Sequence, residues 1–166
     1  MFYEAVFREL YKEKIQYLVV GGVAINLYGI LRATADLDLF LWLQDKDNVL
    51  KFLSVMKRLG YRPRAPVPAD ELADSSKRRA WQQEKGAMVF TFIHPNSFEQ
   101  VDVFLDEPIP FEDAFKKRRL ISMSDFEISV VSMADLKIMK TKAGREKDVS
   151  DLAHLKKREE IDHRGE

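Results

Sequence analysis

Cysteine is absent from this chain of 166 residues. That removes disulfides, thiolate nucleophiles and cysteine-rich zinc sites, and it fits a reducing cytoplasm. Histidine is scarce, and His94, His154 and His163 share no metal-ligand spacing. No apolar run approaches the roughly 20 residues that span a bilayer, so no membrane is expected as a partner. The first residues, with Glu4, Arg8 and Glu9, are unlike a signal peptide. Neither a P-loop nor a Gly-x-Ser-x-Gly elbow occurs. An excess of one charge is missing too, because 27 Lys and Arg stand against 27 Asp and Glu. Nothing global therefore draws the chain to nucleic acid or to an anionic membrane. The short basic clusters Lys77-Arg78-Arg79 and Lys116-Lys117-Arg118-Arg119 read as solvated faces.

What remains is an ordinary globular composition, 46% hydrophobic and 33% charged, sufficient for one domain with its own core. We expect that domain over residues 1–158, with 159–166 a frayed tail. Phe7, Leu10 and Tyr11 at helical spacing predict a helix over 3–14. A β-rich run, Tyr17 to Val20, stops at Gly21-Gly22, and Val23, Ala24, Leu27 and Tyr28 fit one face of a short helix ending near Gly29. A central strand is predicted over 36–43 and a helix over 48–59, closed by Gly60. Pro63, Pro66 and Pro68 mark a loop, and residues 70–84 are too charged to assign. Ala87 to Ile93 and Val101 to Leu105 read as an antiparallel hairpin, Phe126 to Val131 as a last strand, and 133–142 and 147–157 as closing helices. The fold class is α/β (α+β): a mixed sheet with helices packed on it.

Chemistry concentrates in three places. Asp36 and Asp38 point to the same face of a strand, because side chains alternate. Two like charges on one buried strand face repel and are costly to desolvate unless a cation bridges them. Paired hard oxygens suit Mg²⁺ or Mn²⁺. Asp102, between Val101 and Val103, is a third carboxylate in an apolar strand, whereas Asp106 reads as that strand's exit. Gly21-Gly22, between a strand and a helix, permits close approach of a ligand backbone or phosphate, and is also simply a tight turn.

The combination Val20-Gly21-Gly22, Asp36-Leu37-Asp38 and Asp102 resembles the nucleotidyltransferase superfamily related to DNA polymerase β. Within it, Gly21-Gly22-Val23-Ala24, Gly29 and Arg32-Ala33-Thr34-Ala35-Asp36-Leu37-Asp38-Leu39 are similar to the bacterial AbiEii-like group and to small antibiotic-type nucleotidyltransferases. Asp135-Leu136, Lys140, Ala143-Gly144-Arg145 and Lys147-Asp148-Val149-Ser150-Asp151-Leu152 look like the lysine-bearing helix and Asp-x-x-Asp segment of the AbiEii-like proteins. The resemblance implies a nucleotidyltransferase fold with Asp36, Asp38 and Asp102 as catalytic carboxylates and ligands of Mg²⁺ or Mn²⁺. It implies transfer of an NMP group from an NTP, such as ATP, to an acceptor hydroxyl, with release of pyrophosphate. Gly21 and Gly22 would hold the terminal phosphates, with Arg32 and Lys140 as cationic helpers.

Other readings of these residues stay open. Arg32 can reach a phosphate, or pair with Asp36 or a helix carboxylate. Arg145, Lys147, Asp148 and Asp151 can equally form a salt-bridge ladder. Thr34 shapes the turn into the strand, and Phe40, Trp42 and Phe92 read as core. The acceptor, whether small molecule, RNA or protein, is not legible. The chain lacks the long helical region that larger relatives use for it, which leaves room for a homodimer or a partner protein. The alternative is a catalytically silent member that binds a nucleotide or a protein, such as a toxin–antitoxin component.

Overall fold

The computed structural model describes residues 1–165. In chain order the elements are α1 (Glu4–Lys12), β1 (Tyr17–Val20), α2 (Gly21–Leu27), β2 (Leu37–Leu41), α3 (Lys46–Arg58) and β3 (Arg62–Pro63). A 3-10 turn (Ala69–Ala73), α4 (Ser75–Lys85), β4 (Val89–Ile93), β5 (Gln100–Phe104) and α5 (Phe111–Lys116) follow. The chain closes with β6 (Arg119–Ser122), β7 (Glu127–Val130), α6 (Met133–Ala143) and α7 (Glu146–Arg164). The strands form one mixed sheet in the order β3-β4-β5-β2-β1-β7-β6. β2 runs antiparallel to β1 and parallel to β5, and β4 and β5 form the expected hairpin.

Alternation divides the sheet into two unlike faces. Leu37, Leu39, Val101, Val103, Phe90 and Phe92 point to one face and are all buried. Phe52 of α3 meets Phe92 edge-on there, with ring centroids 5.7 Å apart. On the opposite face, Asp38, Thr91, Gln100 and Asp102 stay half-buried, while Phe40 is closed off by Phe111 of α5. One face supplies the core; the other is left partly open for polar groups.

Two local outcomes differ from the sequence expectation, at the glycine pair and at the end of α7, and two fill stretches that the sequence left unassigned. The glycine pair forms the first turn of α2 itself, with Gly21 at φ +67, a conformation a side chain would strain. The charged stretch 70–84 contains α4. The Asp74 side chain accepts from the amides of Ser76 and Lys77, Gly86 closes the helix in the left-handed conformation, and Trp81 packs on Phe90. α5 and β6 occupy a stretch with no amphipathic period, where Arg118 lies over the Phe115 ring and Arg119 over the Tyr28 ring. α7 continues past residue 158 to Arg164, held by Lys137 on Glu159 at 2.6 Å and Arg158 on Asp162 at 3.2 Å. Glu166, in the expected frayed tail, lies outside the described residues.

The buried side chain of Asn48 fixes where β2 ends. Its oxygen accepts from the Gln16 amide, and its nitrogen donates to the carbonyls of Gln16 and Trp42. Replacing Asn48 by Ala removes three hydrogen bonds from partly buried backbone groups, although the Gln16 carbonyl keeps the Trp42 amide. Urea denaturation should register a loss of about 2–3 kcal/mol, with an unchanged m-value.

Candidate functional site

Register brings the acids together. Asp38 on β2 is the direct neighbour of Asp102 on parallel β5, and Asp102 in turn lies opposite Thr91 on β4. Directly opposed residues of paired strands share a face, so Thr91, Asp102 and Asp38 form one row across the sheet. Asp36 stands just before β2, two residues from Asp38 and half-buried. The Thr34 hydroxyl donates to the Asp36 carbonyl at 3.4 Å, and the Tyr3 hydroxyl donates to the Ala35 carbonyl while accepting from the Gln100 amide at 3.1 Å. The loop before β2 is thereby stitched to the start of β5.

The electrostatics of the row follow from this packing. Burial, then the neighbouring charges of Asp102 and Asp36, push the Asp38 carboxyl up to about 6, against partial relief from Lys140 and Lys147. Asp102 is held differently. Its Oδ1 accepts from the Thr91 hydroxyl at 2.6 Å, and the Gln100 amide nitrogen reaches Oδ1 and Oδ2 at 3.2 and 3.1 Å. Gln100 is itself held by Arg64, which donates to its side-chain oxygen.

The glycine turn closes one side. A Cβ on Gly21 would clash with the Asp38 carboxylate, and one on Gly22 would clash with the Arg32 guanidinium and the Thr34 hydroxyl. Both positions are therefore sites of close approach, one to an acid and one to a cation. Arg32 pairs through Nε with Asp151 of α7 at 2.9 Å, which resolves its partner as a helix carboxylate and leaves Nη1 beside Gly22.

Lys140 is buried rather than free in the cleft, with Nζ 3.2 Å from Asp148 and 2.8 Å from Asp151. Arg145 completes the cluster on Asp148 at 2.7 Å, the one i,i+3 pair of the anticipated ladder. Burial works to raise the Asp148 carboxyl, but hydrogen bonds from Arg145 and Lys140 hold it below its usual range. Five side chains, three cations and two carboxylates, thus form one ion-pair network that ties α6 and α7 to the loop before β2. Thr91, Gln100 and Arg64 were not singled out from sequence; only their register with Asp102 marks them.

Hard carboxylate oxygens, with Asp38 pressed by two like charges, have the character of a divalent-cation site. Among the described residues, no three Asp, Glu or His groups already stand close enough to enclose one ion. Thr91 and Gln100 occupy the oxygens of Asp102 in this arrangement. A separate cavity of about 200 Å³, lined by Trp42, Arg78, Glu107 and Phe111 among others, lies at the far end of β2 and includes none of the three acids. No helix among the described residues is long and apolar enough to cross a membrane.

Over residues 4–164 the chain matches the family described as "Nucleotidyltransferase of unknown function (DUF6036)". No curated protein matches it. Among solved structures it is similar to the lincosamide antibiotic adenylyltransferase LnuA, lincomycin-bound, at 15% identity and a TM-score of 0.55, covering 91% of this chain and 92% of that one. It is also similar to ANT(2")-Ia in complex with adenylyl-2"-tobramycin, at 14% identity and a TM-score of 0.48, covering 93% and 94% of the two chains. The likeness to LnuA is one of fold.

The raised Asp38 carboxyl has a consequence for stability. Its folded value, about 6, exceeds the ordinary 3.8, so between these pH values the folded state binds more protons than the unfolded one. The metal-free fold therefore loses stability as pH rises from about 4 to above 6, by about 3 kcal/mol from this group. Urea titrations of wild type and Asp38→Asn should diverge over that window, with the variant gaining relative stability at the higher pH.

Proposed function

The chain belongs to this nucleotidyltransferase family, and from that premise we propose that it moves an NMP group from an NTP, such as ATP, to an acceptor hydroxyl. The observation that carries the reading is the side-by-side register of Asp38 and Asp102, with Asp36 beside them and the Gly21-Gly22 turn against Asp38. Asp36, Asp38 and Asp102 would hold Mg²⁺ or Mn²⁺. When bound, the metal supplies Lewis-acid stabilisation of the attacking and leaving oxygens of an in-line displacement.

The chain's own residues account for the rest. The Gly21-Gly22 turn, free of side chains, lets the terminal phosphates approach its backbone. Arg32 presents Nη1 beside Gly22, aligned to steady those phosphates, while Asp151 fixes its Nε. Lys140 is engaged by Asp148 and Asp151, and it contributes through its field, which already favours the charged form of Asp38. Asp102 takes the proton of the acceptor hydroxyl as its oxygen bonds to the α-phosphorus, and the bond to pyrophosphate breaks. A cysteine-free chain fits action in a reducing cytoplasm.

Calorimetric titration of each NTP with Mg²⁺ or Mn²⁺ tests the reading. Wild type should bind at least one Mg²⁺–NTP, and Asp36→Ala/Asp38→Ala should weaken it at least tenfold. Asp102→Asn should retain that binding and lose on the order of 10²–10⁴ in kcat once an acceptor is supplied. Equal NTP binding by wild type and the double variant would remove the metal site from the account.

A further inference from the structure

We propose that the acceptor is a small hydroxyl compound carrying its own phosphate or carboxylate. It would lie on the open sheet face beyond Asp102, with its anionic group on Arg62 and Arg64. The inference rests on the transferase reading for the fate of the hydroxyl, and on separate observations for the anion.

The first observation is register. Arg62 pairs with Ile93, and Ile93 with Gln100, so these three share a face. That face is the acid face, because Gln100 reaches Asp102. Arg64 lies just past the end of β3, its amide donating to the Thr91 carbonyl at 2.9 Å and its guanidinium to the Gln100 side chain. The two arginines thus stand on the same face as Asp36, Asp38 and Asp102, at the sheet's edge.

The second observation is exposure and charge. Arg62 and Arg64 are exposed, and among the described residues neither forms an ion pair. Two guanidinium groups without acidic partners, two residues apart at the sheet's edge and one of them held only by the neutral Gln100 side chain, suit a phosphate or carboxylate and repel a cation. Between them and Asp102, the side chains of Thr91, Ile93 and Gln100 are only half-buried.

The third is span. β3 lies two strands from β5, a backbone separation of roughly 10 Å that the arginine side chains shorten. A hydroxyl at Asp102 and an anion at β3 are then spaced as in a phosphorylated sugar. The Arg64–Gln100–Asp102 chain also links the two ends. An anion drawing Arg64 away frees the Gln100 side-chain oxygen, leaving that side chain held only through its nitrogen on Asp102.

The test uses the full chain, ¹⁵N-labelled, with Mg²⁺ at fixed ionic strength. Glucose 6-phosphate, glucose and glucosamine share one scaffold and differ in charge. The arginine Nε–Hε signals of Arg62 and Arg64, assigned with Arg62→Gln and Arg64→Gln, should shift saturably with glucose 6-phosphate alone. The double variant should weaken that binding at least tenfold. Silence of these signals toward glucose 6-phosphate, or an equal response to glucose or glucosamine, overturns the proposal. ATP added to the same sample reports separately through the Gly21 and Gly22 amides. Their silence would contradict the transferase reading while the arginine result stands on its own.

Discussion

Like charges held side by side on a half-buried sheet face are the constraint to which the other features of this protein answer. Asp38 and Asp102 are register partners on neighbouring parallel strands, with Asp36 two residues from Asp38. Their repulsion shows in the Asp38 carboxyl, raised first by burial and then by both neighbours. Gly21 must lack a side chain for the Asp38 carboxylate to sit where it does. Thr91 and Gln100 quiet Asp102 by donating to it, but Asp38 is offered only the distant fields of Lys140 and Lys147. On the proposed reading, a bound cation would relieve this repulsion, and binding would be favoured by that difference.

The second electrostatic assembly complements the first. Asp148 and Asp151 are buried carboxylates that would be costly alone, and Lys140, Arg145 and Arg32 neutralise them. Arg32 joins this network to the glycine turn, so the closing helices and that turn are linked through one set of ion pairs. On the opposite side, the open strip from Asp102 to β3 carries cations with no such partners. The face thus carries acids at its centre, a paired cluster of basic and acidic side chains on one flank, and arginines without acidic partners on the other.

How much of this was legible beforehand depends on the range of each interaction. The acids could be read because strand alternation is local: Asp-x-Asp shares a face, and Asp102 interrupts an apolar run wherever the strand is placed. The hairpin of β4 and β5 and the mixed sheet followed from the same periodicity. Parallel pairing of β2 with β5 is a long-range event, and with it the row Thr91–Asp102–Asp38 stayed hidden. Arg145 on Asp148 is an i,i+3 contact visible in the sequence, whereas Lys140 reaches across the turn between α6 and α7. Arg32 on Asp151 joins residues far apart in the chain, so its partner could only be offered as one of several. α4 was missed because its hold is a cap at each end and one tryptophan, with no apolar stripe.

On the proposed reading, Asp36, Asp38 and Asp102 close on bound metal when nucleotide is present. Crystals grown with Mn²⁺ and a non-hydrolysable NTP analogue test it directly by anomalous scattering. Manganese peaks are expected within coordination distance of Asp38 and Asp102, with the triphosphate beside Gly21 and Gly22 and the Gln100 amide displaced from Asp102. A clear nucleotide with no manganese at these carboxylates, or manganese bound elsewhere with Gln100 still in place, would contradict it.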